Sequence, residues 1–461
     1  MRMQHLLNMI ALCALCVLVF IAGAASQYFN WPLLAPLTQA LEGGKAWLES
    51  QADADEIAQQ SAPGGNVMEA LSQAKATVND AQAMPGYTLI TMRYSNSVYL
   101  LDMEGNIVHS WNMPFNKAWS EAPHIRGGAA RAAANIRSAQ LFPNGDVLVV
   151  YEALRDSPYG YGIAKLDKDS HVVWTYSGNA HHDMYVDREN GHIFTLTQAY
   201  LPKPIEGLEA LPFPLMADYV TILSGDGKEL KKISILEAFN HTPFAALLFQ
   251  GKKEEFPRWD HMHANAIAML EPHMADQFPL FKPGSMLVSL RNLNIVAVID
   301  PVSEKVVWAY NGLWQGQHSP AFMPNGHIVL FDNYGQVDGS AKKDNERKFS
   351  RIIEFDPASY QVAWSYTGAA DKPFYSYVYG RVQPLENGHF FVTETLSGRL
   401  FELTREGGIV WEYTLPPVFK KKRTPGDPKK GDLLTSITSA IKYDEGSITF
   451  LTTRKGLKHA Q

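Results

Sequence analysis

From Gly86 onward the chain reads as short apolar, β-rich runs cut by Asn-Gly, Asp-Gly and Pro-Asn-Gly turns, and the pattern repeats. One half of the unit reads Phe142-Pro143-Asn144-Gly145-Asp146-Val147-Leu148. It returns as Met323-Pro324-Asn325-Gly326-His327-Ile328-Val329 and as Leu385-Glu386-Asn387-Gly388-His389-Phe390-Phe391. The other half runs from Ile299-Asp300-Pro301 to Val306-Val307-Trp308-Ala309-Tyr310. It returns from Phe355-Asp356-Pro357 to Val362-Ala363-Trp364-Ser365-Tyr366, and from Leu403-Thr404-Arg405 to Ile409-Val410-Trp411-Glu412-Tyr413. Val172-Val173-Trp174-Thr175-Tyr176 and Ile107-Val108-His109-Ser110-Trp111 are further copies. Each unit is a hairpin with a turn glycine, then a second hairpin ending in an apolar-Trp-x-Tyr strand. Glycine suits these turns because it takes positive φ without a Cβ clash. Four strands repeated around a ring is the propeller pattern, which protects sheet edges by repetition. About 370 residues at roughly 40 to 60 per unit are read as six units, with five or seven as the alternatives. The tryptophans are expected to be packing plugs between neighbouring sheets, and Ser447–Thr453 is expected to close the ring against the first unit.

The texture before Gly86 is different. Leu6 to Ala25 is an apolar run broken only by Asn8, preceded by Arg2 and followed by Tyr28 and Trp31. Its length suits a membrane span, with the aromatics at the interface and Arg2 on the cytoplasmic side. Ala22-Gly23-Ala24-Ala25 also offers a signal-peptide cleavage site. Residues 1–26 are therefore expected to be a signal anchor or signal peptide, residues 27–84 a helical linker, and residues 85–461 the propeller. The linker helices are expected over Leu37–Ala58 and Asn66–Gln82, parted by Ser61-Ala62-Pro63-Gly64-Gly65. The predicted fold class is an all-β six-bladed β-propeller preceded by an N-terminal membrane helix and a short helical linker. The chain is expected to be exported and held at the membrane by that helix.

Composition narrows the function. The chain is 46% hydrophobic and 19% charged with a net charge of −6. It has no long basic run, and no nucleic-acid partner is expected. Both cysteines, Cys13 and Cys16, lie in the apolar run, so no disulfide is expected in the exported part. Propellers place reactive groups where inner strands and their loops meet the central channel. His182, His263 and His318 each fall shortly before an apolar strand and its glycine turn, and Arg291 follows the strand after His263. Equivalent positions of a circular repeat point at one axis, so these four side chains are expected to share a pocket. His181 competes with His182 for the third histidine position. A tri-histidine set would suit zinc, but an arginine beside a metal ion would be repelled. Arginine with histidines fits an anionic group that is held and transferred.

Several stretches, taken in order, carry a resemblance. They are Tyr99-Leu100-Leu101-Asp102 to Trp111, His182-Asp183, His263-Ala264-Asn265 and Ser289-Leu290-Arg291-Asn292. Gln317-His318, Leu330-Phe331-Asp332-Asn333, and Gly398-Arg399-Leu400-Phe401-Glu402 to Trp411-Glu412-Tyr413 follow. The chain resembles the bacterial aryl-sulfate sulfotransferases that need no phosphoadenosine donor. The resemblance implies a periplasmic six-bladed propeller that moves a sulfuryl group from an aryl sulfate to a phenolic acceptor through a sulfohistidine, with no nucleotide cofactor and no metal. It makes His318 the nucleophile, with His263, Arg291 and His182 as its catalytic partners. A non-catalytic binding or scaffold propeller, and a metal-dependent hydrolase or lyase on the same ring, are the alternatives.

Overall fold

The computed structural model describes residues 65–122, 124–125, 134–153, 156–250, 259–312, 314–333, 349–369, 372–418 and 435–451. Their strands form six antiparallel blades. The first joins Gly86–Met92, Ser97–Leu101 and Ile107–Asn112 to the C-terminal strand Ile437–Asp444. The second runs from Ala134–Leu141 to Val172–Tyr176, and the third from Ala180–Val186 to Glu229–Ser234. The fourth runs from Ala264–Met269 to Val306–Asn311, and the fifth from His318–Phe322 to Val362–Tyr366. The sixth runs from Arg381–Pro384 to Ile409–Thr414. The innermost strand of each blade touches those of the two neighbouring blades, and the circuit closes. The six-bladed propeller expected from the repeat is the fold.

The core is not one mass but six apolar wedges, one in each gap between adjacent blades. Middle strands are buried on both faces, as in Met286–Leu290 and Ile295–Ile299. That is why they read as continuous apolar runs rather than as alternations.

The tryptophans brace these wedges. Trp174, Trp308, Trp364 and Trp411 each donate the indole N–H to a turn carbonyl of the next blade. The acceptors are Gly225 O, Pro357 O, Arg405 O and Met103 O, at 3.1, 3.0, 2.8 and 2.8 Å. Strand pairing identifies the equivalent residue in the first blade as His109, not Trp111. His109 sits opposite Leu100 after the same bulge that places Trp174 opposite Lys165. His109 Nε2 lies 2.7 Å from Lys168 O in that position, and the wholly buried Trp111 braces the same gap by donating its indole N–H to Gly145 O of the next blade at 3.1 Å. In the third blade the position holds Lys231, which reaches Glu304 of the next blade at 2.5 Å.

Two expectations are corrected. The ring is closed by Ile437–Asp444, paired antiparallel with Gly86–Met92, and not by Ser447–Thr453. Residues Glu445–Ser447 form a 3-10 turn instead, and Thr449 and Phe450 donate their backbone N–H groups to Pro143 O. The closing strand wins because its apolar positions, Ile437, Ala440, Ile441 and Tyr443, all become buried there. The helix expected over Asn66–Gln82 spans only Gly65–Gln73. Ala76–Asn79, with β-branched Thr77 and Val78, is a fifth strand on the outer edge of the sixth blade. It covers an edge that would otherwise be open. The run Leu6–Ala25 and the helix expected over Leu37–Ala58 lie outside the described residues. Among the described residues no helix is long and apolar enough to cross a membrane.

Candidate active site

The inner strands are irregular where the middle strands are regular. Five of the six carry a β-bulge, at Arg137, at His182-Asp183, at Asn265, at Ser319-Pro320 and at Thr438. A bulge adds a residue on one strand and re-aims its side chain. Here the bulged positions converge: Arg137, His182, Asp183, Asn265, Ser319 and Thr438 all line one small cavity on the axis, with His318 and Arg381. Among the non-glycine residues with left-handed backbone at the starts of these strands are His182 (φ 56°), His263 (φ 53°) and Ser319 (φ 51°). Such a conformation costs on the order of 1 kcal/mol or more for an L-residue and gathers at functional sites.

His318 is buried, and its surroundings fix its tautomer. Its Nδ1 lies 2.7 Å from Asn333 Oδ1 and 2.9 Å from Gly316 O. The Asn333 amide is held by its own donors, with Nδ2 at 2.7 Å from both Ser376 O and Tyr379 O. Both groups facing Nδ1 are therefore acceptors, so Nδ1 carries the proton and Nε2 keeps its lone pair. Burial pushes the imidazole well below the ordinary histidine range, and the positive charge of Arg291 adds to this. The ring is thus neutral at neutral pH.

The motif residues around it are a frame. Gln317 Nε2 donates to Ser289 Oγ at 3.0 Å and to Ile295 O at 3.0 Å. Asn265 Nδ2 donates to Gln317 O at 2.8 Å. The Arg291 and Asn292 backbone N–H groups donate to His263 O and Met262 O, each at 3.1 Å. Asn292 Nδ2 adds a bond of 2.7 Å to Asp260 O. The segments bearing His263, Arg291 and His318 are therefore tied to one another through buried polar groups.

His182 and His263 face each other edge to face with ring centroids 4.9 Å apart. His263 Nδ1 lies 2.5 Å from Asp260 Oδ2, an acid–imidazole pair. Its side chain is 21% exposed, against 7% for His182, so it is the more accessible of the two. His182 Nδ1 lies 3.2 Å from Glu152 Oε1 and 2.9 Å from His181 Nδ1. Burial first, then the charges of His263 and Arg137, hold His182 well below the histidine range. The adjacent histidines differ in direction: His182 lines the cavity, whereas His181 is wholly buried with Nε2 at 3.3 Å from Asp218 Oδ1. All four residues singled out from the sequence, His182, His263, Arg291 and His318, thus gather at one end of the channel. Arg291 does not line the cavity itself but is tied beside His263 by its backbone bond.

Sequence reasoning missed several neighbours. Tyr159 sits among His181, His182 and His263, with centroid distances of 5.4, 5.5 and 5.5 Å, and its hydroxyl is 3.4 Å from His263 Nδ1. Burial, then Asp260, raises its hydroxyl well above the ordinary tyrosine value. Glu152, Asp218, Asn333 and Arg137 were missed too. Of these only Asn333 stood in a motif. Glu152, His181 and His182 bring three ligand atoms within 4.8 Å of one another and could hold a metal ion. The Arg137 guanidinium, with Nε 3.6 Å from Glu152 Oε2, already supplies a cation there and opposes a second one. Across the axis, Arg381 pairs with Asp183 at 3.1 Å. These two residues and Ser319 line both the site cavity and a wider one of about 480 Å³ toward the other ends of the inner strands.

Comparison with known proteins adds the family. The model of the arylsulfotransferase (ASST) family matches residues 138–415, more than half of the chain. No curated protein matches. Among solved structures, a Bacteroides caccae protein of unknown function is 14% identical over 78% of this chain and 98% of its own, with a TM-score of 0.46. Virginiamycin B lyase from Staphylococcus aureus is 12% identical over 62% of this chain and 70% of its own, with a TM-score of 0.33. AztD from Citrobacter koseri is 9% identical over 79% of this chain and 100% of its own, with a TM-score of 0.34. These likenesses are too remote to carry any argument; the blade count rests on this chain's own strand pairing.

Proposed function

This chain belongs to the arylsulfotransferase family, and from that premise we propose that it moves a sulfuryl group from an aryl sulfate to a phenolic acceptor through a sulfated His318. The observation that carries the reading is the tautomer of His318: Nδ1–H is held by Asn333 and Gly316, and the lone pair sits on Nε2. In the first half-reaction that lone pair attacks sulfur. The N–S bond forms as the bond from sulfur to the aryl oxygen breaks, and its electron pair leaves on the phenolate. A phenol has a pKa of roughly 10, so the leaving group needs little acid help. Arg291 meets the charge on the sulfuryl oxygens. In the second half-reaction the acceptor phenol gives its proton to the His263–Asp260 pair as its oxygen attacks sulfur. The N–S electrons then return to His318. His182 lends a polar wall to the same pocket. Double displacement of this kind gives ping-pong kinetics.

Export, and retention at the membrane through Leu6–Ala25, belong to the same proposal and rest on the sequence of that run. Fractionation of cells making the full chain tests them: recovery in the cytosol would end both.

The deciding experiment is mass spectrometry of protein quenched with a chromogenic aryl sulfate and no acceptor. One sulfuryl group is expected on the peptide carrying His318 and none in His318→Ala. Full transferase activity in His318→Ala would overturn the assignment.

A further inference from the structure

We propose that Arg137 is a second guanidinium of the sulfuryl-binding pocket, gripping the anion from the wall opposite His318. The inference rests on the transferase reading and adds a residue that neither the repeat nor the motifs single out.

Arg137 is the bulged residue of the second blade's inner strand, so its side chain leaves the ladder and turns to the axis. His318 begins the inner strand of the fifth blade, three places round a ring of six, and both residues line the same cavity. The side chain is buried and rigidly mounted. Its Nη1 donates to Thr438 O at 2.8 Å, and its guanidinium lies over the Tyr379 ring at 4.3 Å. Nε is buried without a hydrogen bond, 3.6 Å from Glu152 Oε2. Burying a donor without a hydrogen bond costs free energy, and an anion in the cavity that Arg137 lines would gain from its charge. The fork geometry of arginine suits two oxygens of a sulfuryl group. Arg291, on the fourth blade, adds its positive charge to the surroundings of His318. With Arg137 on the far wall, the transferred group sits between two cations while its third oxygen faces the histidines. The positive charge of Arg137 is felt at both His318 and His182, which places it within electrostatic reach of the reacting nitrogen.

The test uses Arg137→Met, which keeps the stem and removes the charge, and Arg137→Lys, which keeps a charge and removes the fork. Each full-length variant is titrated with inorganic sulfate and assayed with a chromogenic aryl sulfate and phenol across pH. Sulfate affinity and kcat/KM are expected to fall tenfold or more in Arg137→Met and by less in Arg137→Lys. The acid limb of kcat/KM is expected to move up in pH in Arg137→Met alone, because a positive charge beside His318 is gone; a merely structural residue would not move it. If Arg137→Met does not fold, the Lys variant decides, since loss of the fork alone must weaken sulfate binding. Unchanged sulfate affinity and kcat/KM in a folded variant, or no sulfate binding by the wild type, overturns the proposal. A wild type that binds sulfate through Arg137 but transfers nothing would instead overturn the transferase reading and leave the anion site.

Discussion

The outer rim of this propeller and its axis are built from the same strands by opposite rules. At the rim one device recurs: the residue after the outer-strand bulge reaches a turn of the next blade. It is a tryptophan in four blades, His109 in the first and Lys231 in the third. At the axis nothing recurs but the bulge itself. Its occupants are Arg137, His182-Asp183, Asn265, Ser319-Pro320 and Thr438, all different and mostly polar. Repetition closes the ring and supplies its stability. Variation at the bulges then places unlike side chains around one point, without disturbing the middle strands that hold the blades together.

If that division of labour is right, changes at the two regions separate activity from stability. His318→Ala should lower transfer by on the order of a thousandfold or more and leave the unfolding midpoint nearly in place. Equal losses of both would erase the contrast. Arg291→Ala should cost about a hundredfold in kcat, while the covalent species still forms under long incubation with donor.

At the rim the sign reverses. Trp411 is wholly buried and bonded to Met103 O. Its replacement by Ala should cost about 3 to 5 kcal/mol in denaturant unfolding, with kcat per folded molecule unchanged. A kcat loss in fully folded protein would show that the rim reaches the site.

Acid should affect both properties at the axis. His182 and His318 are held below 6.5 by burial and then by neighbouring positive charge. The unfolded chain takes up protons that the folded chain refuses, so stability should fall as pH drops below about 6.5. The acid limb of kcat/KM, which reports neutral His318, should lie below that same value. A limb above it would refute a depressed nucleophile. The smallest effect belongs to Lys231→Ala, whose exposed pair with Glu304 should contribute under about 1 kcal/mol.

The rim was legible in the sequence because its signals are local. Asn325-Gly326 and Asn387-Gly388 announce turns, and Trp308 and Trp364 each stand eight residues after the aspartate of an Asp-Pro turn, Asp300-Pro301 and Asp356-Pro357. His109 hid behind Trp111 because the eye aligns tryptophans, whereas the ladder aligns bulges. The histidines and Arg291 could be singled out because each stands near the end of a strand in a unit whose phase was known. Arg137, Glu152 and Tyr159 could not. Arg137 and Glu152 sit within strands, Tyr159 just ahead of one, and no motif marks any of them. Only the bulge at Arg137 and the curvature of the ring turn them inward. Ala76–Asn79 reads as helix, and the ring-closing strand Ile437–Asp444 draws no reading at all, for a related reason: their partners lie at the other end of the chain, and no window of sequence contains both.

That last pairing ties the chemistry to completeness of synthesis. Thr91 and Thr438 share a hydrogen bond across 347 positions, and Arg137 is held by the carbonyl of the same Thr438. A growing chain can assemble five blades while the first still shows a bare strand edge, a template for pairing with another molecule. A polypeptide that ends early lacks both the seal and the anchor of a cavity-lining arginine. An unfinished copy is therefore left open-edged and without the mount for Arg137.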